Sequence, residues 1–130
     1  MQFSRWLFRL CGIYGLLILT PQYFMERQIG QDLPPPINHP EQFYGFIGVA
    51  LAWQVAFLII SLDPARYRLL IIPGILEKLG FGIPVFVLLA QERVAPTLAI
   101  FAGIDLAMAF AFAIAYWRLG NKLSRHVQNS

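Results

Sequence analysis

The chain has 130 residues, 58% hydrophobic and only 13% charged, with a formal net charge of +3 and a mean hydropathy of +0.60. A soluble domain carries roughly a quarter charged residues, and here the charges sit in short clusters between long apolar runs, so a soluble, fibrous or disordered chain is excluded. One cysteine, Cys11, permits no intrachain disulfide and no cysteine-based metal site, and the basic residues flank apolar segments rather than forming a nucleic-acid-binding patch.

The first apolar segment spans about 3–20 and is closed by Pro21. Arg5 and Arg9 precede its most apolar part, as in a signal peptide, but no small-x-small cleavage site follows, so it reads as a retained helix with Arg9 reaching back to the interface. Residues 22–41 contain Pro34, Pro35, Pro36 and Pro40 and read as an exposed loop, since consecutive prolines lack amide donors. The second segment covers 43–62 and ends at the Asp63-Pro64 turn. The third, 67–90, holds Pro73, Glu77, Lys78 and Pro84, and stops at Gln91-Glu92-Arg93. Pro96 suits the first turn of a fourth helix, 96–117, and a basic tail, 118–130, follows. Each span approaches the roughly twenty residues that a helix needs to cross a bilayer.

Lysine and arginine near helix ends set orientation. Arg5, Arg9, Arg66, Arg68, Arg118, Lys122 and Arg125 belong to the N-terminus, the second connection and the tail, whereas the first and third connections hold Arg27 and Arg93. The fold expected is therefore all-α: a single integral membrane domain, 1–130, forming a four-helix up-and-down bundle with both termini in the cytoplasm. Trp6, Tyr44, Tyr67, Tyr116 and Trp117 fall near the expected interfaces.

Small residues let membrane helices approach closely. Ala99, Gly103, Ala107, Ala111 and Ala115 recur every fourth residue in the fourth span, with Ala102, Ala109 and Ala113 as a second small face. Gly48, Ala52 and Ala56 share that spacing in the second span, which predicts intimate contact between the second and fourth spans.

Ionisable groups inside a membrane are costly and mark a site or a structural pair. The candidates are Glu77, Lys78 and Asp105, with Gln54 as a neutral companion at similar depth. Pro73, Gly80 and Pro84 recur on the face of Glu77, so a kinked face lining a cavity is expected. Lys78 meets its neighbour Glu77 at a poor angle, which makes Asp105 the expected partner. Two readings stand side by side: a binding or proton-handling site, and a salt bridge that fixes helix register. Trp53 reads as packing, and His39 with Glu41 is too small a set for a metal site. No phosphate loop, nucleophile elbow or His-Glu-x-x-His motif is present, so neither an enzyme nor a cofactor is indicated.

The strings Leu10-Cys11-Gly12-Ile13-Tyr14-Gly15, Phe43-Tyr44-Gly45-Phe46-Ile47-Gly48, Leu62-Asp63-Pro64-Ala65-Arg66-Tyr67-Arg68 and Gly74-Ile75-Leu76-Glu77-Lys78-Leu79-Gly80 resemble uncharacterised bacterial four-helix membrane proteins similar to the DoxX-like superfamily. That resemblance implies a compact bundle in a bacterial inner membrane, with a lysine at the position of Lys78, and in some members an association with quinone-linked redox complexes. It carries no settled reaction. The leading expectation is an accessory subunit or a binder of a small apolar molecule, lipid or quinone, with a homodimer or a larger membrane complex as further possibilities. Alternatives are a small dimeric proton-coupled transporter and an intramembrane lipid isomerase using Glu77 and Asp105.

Overall fold

The computed structural model describes residues 2–130 and is all-helical. Four helices are long and apolar enough to cross a membrane. They are α1 (Gln2–Gln22), α3 (Pro40–Leu62), α4 (Ile71–Ala90) and α5 (Leu98–Gln128); a short α2 (Glu26–Asp32) lies in the first connection, and a 3₁₀ turn, Arg68–Leu70, leads into α4. Leu17, Val49, Leu76, Ile100 and Phe110 all point outward and are more than half exposed. Water tolerates no apolar surface of that extent on a monomer, whereas lipid matches it. The chain is a multi-pass membrane protein.

Each spanning helix buries only a narrow stripe. In α3 the stripe is Ile47, Ala50, Gln54, Phe57 and Ser61; in α1 it is Ser4, Phe8, Cys11 and Gly15. Gly12 and Ile60 are buried beside them, and the steps of three and four in both helices keep one seam facing a partner. The buried stripe of α5 carries Ala102, Ala109, Phe112 and Leu119.

These seams pair α1 with α3 and α4 with α5, and the two pairs meet more loosely through α1·α5 and α3·α4. The partnership expected between the second and fourth spans is therefore corrected: α3 and α5 are not close backbone neighbours, although Phe57 and Phe112 reach across between them. The reason is geometric. A spacing of four advances about 400° round a helix of 3.6 residues per turn, so five such positions drift through roughly 160° and cannot share one interface. Accordingly Ala115 is buried, whereas Ala107, Gly48 and Ala52 face outward.

Glycine does mediate close approach, at other places. A Cβ at Gly12 would sit 2.9 Å from the Gln54 carbonyl oxygen, and one at Gly15 would overlap the Gln54 side chain. A Cβ at Gly82 would sit 2.7 Å from Leu106. Where the pairs join, Phe8, Phe57 and Phe112 form a fully buried cluster, with Phe8 and Phe112 stacked at 4.5 Å and Phe57 meeting Phe112 edge-on at 5.0 Å.

Along α1 and α5 the contacts run in opposite sequence order. Phe3 and Phe8 meet Arg118 and Phe112, and Arg68 donates from Nε to the Tyr116 carbonyl at 3.0 Å while stacking on the Tyr116 ring. The Arg9 guanidinium lies 5.1 Å over the Trp6 ring.

Three boundaries differ from the sequence reading. The proline-rich loop contains α2, held by a 2.8 Å hydrogen bond from the Tyr44 hydroxyl to Glu26. The basic tail is not a separate segment, because α5 runs on through it to Gln128. Pro73 stands in the first turn of α4, where its missing N–H breaks no helical bond, so Pro84 is the proline inside that helix.

Candidate functional site

Lys78 faces the inner seam of α4 and is only 4% exposed. Its ammonium lies 3.5 Å from Glu77 Oε2 and 3.8 Å from Asp105 Oδ1. The expected pairing across α4 and α5 is thus present, and Glu77 joins it in spite of its adjacent position on the helix. The Phe57 ring closes a third side, with its centroid 5.2 Å from Nζ. That contact is sterically possible because Gly74, one turn before Lys78, leaves room: a Cβ there would come 3.0 Å from the ring. Ring and cation attract through the quadrupole, and the more so out of water.

Register explains the convergence. Lys78 lies on the buried stripe of α4 between Gly74 and Gly82, and Gly82 packs on Leu106 and Ala102. The small side of α4 thereby draws α5 in until Asp105 comes alongside the ammonium. Cys11 of α1 belongs to the same buried cluster as Phe57, the ring that faces the Lys78 ammonium.

Two expectations about this site change. Gln54 does not join the triad: its Nε2 donates to the Ala50 carbonyl at 2.8 Å, and its Oε1 lies against Gly15 in the α1–α3 seam. The cavity-lining face is not formed either, because Gly80 and Pro84 are exposed on the outer surface of α4 and Pro73 stands in its first turn. Trp53 packs against the core beside Phe57, at a centroid distance of 6.1 Å. His39 and Glu41 form an exposed pair at 3.4 Å near the start of α3. Sequence reasoning passed over Phe57, whose apolar ring carried no sign of a role beside a cation. The one available signal was its place, three residues after Gln54 on the same seam.

Chemically, the triad holds two carboxylates for one ammonium. Lys78 contacts both, yet Glu77 Oε2 is buried and lacks a hydrogen bond of good geometry. An acceptor in that state inside a bilayer favours any neighbour that brings a donor, a cation or a proton.

Fold and site together define a multi-pass membrane protein with a lysine–dicarboxylate triad inside its helices. Comparison with protein-family models, with curated proteins and with solved structures finds no match, so its function is read from its own residues.

Proposed function

We propose that the chain is a four-helix, up-and-down bundle of a bacterial inner membrane, with both termini cytoplasmic, that binds an apolar small molecule of the lipid or quinone class beside Glu77, Lys78 and Asp105. The orientation is supported by the excess of lysine and arginine in the N-terminal region, the α3–α4 connection and the end of α5. The observation that carries the binding reading is Glu77 Oε2, which meets the Lys78 ammonium at 3.5 Å but accepts no hydrogen bond, beside a second carboxylate on the same ammonium. One carboxylate suffices for a salt bridge that fixes register, and here two meet the same ammonium. The second carboxylate leaves an acceptor for a ligand hydroxyl, such as that of a quinol or a lipid alcohol, while Lys78 offers a donor to a carbonyl or phenolate on the same molecule.

The test is mass spectrometry of small molecules retained after gentle detergent purification. The reading predicts one retained apolar molecule with a hydroxyl or carbonyl head, present in the parent and depleted in Glu77→Gln at equal yield of folded protein. Equal retention by both proteins, or a folded parent with no retained molecule, contradicts it.

A further inference from the structure

The end of the molecule that carries most of the cations holds a second feature, separate from the triad and independent of what binds there. Helix α5 continues about three turns past Trp117, and these turns stand against the start of α1. A cleft of about 280 Å³ opens between them, lined by Phe3, Ser4, Trp117, Arg118, Lys122 and Arg125 among others. No carboxylate side chain lines it, and among the described residues none pairs with Arg118, Lys122 or Arg125.

The parts of the cleft are ordered along the axis of α5. Trp117 and Phe3 are exposed aromatic walls, and tryptophan favours the membrane–water boundary. Lys122 and Arg125 follow roughly 8 and 12 Å further along the axis at 1.5 Å per residue, beyond the aromatic walls. Arg118, Lys122 and Arg125 are spaced by four and three residues, so they share one face of the helix. The Arg118 guanidinium is held 4.9 Å over the Phe3 ring, which fixes one cation at the mouth of the cleft. Ser4, nearly fully buried, forms part of the wall on the α1 side.

We propose that this cleft binds the phosphate of an anionic lipid headgroup, with Arg118, Lys122 and Arg125 around the phosphate and the glycerol and first acyl carbons against Phe3 and Trp117. The aromatic walls favour a lipid over free phosphate, which would make no use of them. Each cation near an anionic headgroup strengthens binding about fivefold, the equivalent of ~1 kcal/mol.

The experiment is native mass spectrometry of the full chain in mild detergent at fixed ionic strength, titrated with phosphatidylglycerol or phosphatidylcholine. The parent is expected to prefer phosphatidylglycerol by at least tenfold, and Lys122→Gln/Arg125→Gln to lose about 25-fold in that affinity, from fivefold per cation. Both positions are exposed, and an unchanged elution volume checks that the variant is folded. Arg27→Gln/Arg93→Gln, which removes the cations of the other two connections, is expected to bind as the parent does, and millimolar inorganic phosphate is expected not to displace the lipid. Equal binding of the two lipids, equal loss in both double variants, or full displacement by phosphate each overturns the proposal.

Discussion

The α1–α3 seam offers a sharp test because two glycines one turn apart meet the same residue in different ways. A methyl at Gly15 would overlap the side chain of Gln54, whose Cγ lies 2.7 Å from the Cβ position. Gln54 is 1% exposed and held by its 2.8 Å bond to the Ala50 carbonyl, so it has nowhere to swing. A methyl at Gly12 would instead meet the Gln54 carbonyl oxygen at 2.9 Å and Leu58 at 3.0 Å, which shortening residue 54 does not relieve. Overpacking of a tight seam costs about 1–3 kcal/mol, and Gly15→Ala is expected near the upper end, since accommodating it also breaks the Gln54 bond. Gln54→Ala alone removes one local hydrogen bond and a buried oxygen without a donor, so its own cost is small. The double variant Gly15→Ala/Gln54→Ala is expected to recover about 2 kcal/mol relative to the sum of the singles. Gly12→Ala/Gln54→Ala is expected to recover nothing. Reversible unfolding in mixed micelles, titrated with a denaturing detergent, measures the parent, the three single variants and the two double variants. Gly15→Ala as stable as the parent, or equal rescue at both glycines, would refute the contact between α1 and α3.

Other outcomes follow from the same geometry. Ala107 faces outward, so Ala107→Leu is expected to change stability by less than about 0.5 kcal/mol, whereas Ala109→Leu, on the buried stripe, costs about 1–3 kcal/mol in the same titration. Lys78→Met leaves Glu77 and Asp105 without their cation and is expected to cost about 3 kcal/mol. Adding Glu77→Gln and Asp105→Asn is expected to restore much of that, and no restoration would show that Lys78 acts by packing alone. Glu92 ends α4 at φ 57°, with Glu92 N–H bonded to the Leu89 carbonyl at 3.0 Å and Arg93 N–H to that of Leu88 at 2.9 Å. Glycine suits this left-handed terminus better, so Glu92→Gly is expected to stabilise by up to about 1 kcal/mol, read as a higher unfolding midpoint. A lower midpoint contradicts it.

Much of the architecture could be read from residue order. Apolar length defined the four spanning helices, three of them to within a few residues and the fourth well short of its end at Gln128, and Lys78 with Asp105 stood out because charges in such runs are rare. What failed did so for physical reasons. The spacing-four alanines looked like a seam, yet a helix turns past such a stripe, and the working seams are the rows stepped by three and four that include polar or large residues such as Gln54, Phe57 and Lys78. Gln54 seemed to belong with the charges by depth, but depth says nothing of direction, and it points towards Gly15. The helix Glu26–Asp32 is short, and its tie is the distant Tyr44, so local composition showed only the prolines after it. The end of α5 was read as a tail because its charges begin at Arg118, although charge stops a membrane span and not a helix.

The central claim is that Glu77, Lys78 and Asp105 hold a ligand. The most direct measurement is an experimental structure of the parent in lipid nanodiscs, at a resolution that shows bound lipids and small molecules. The account predicts non-protein density with a polar head in hydrogen-bond contact with Glu77 Oε2 and within reach of the Lys78 ammonium. A Glu77 carboxylate fully bonded to groups of its own chain, with helices closed over the triad and no added density, would contradict it.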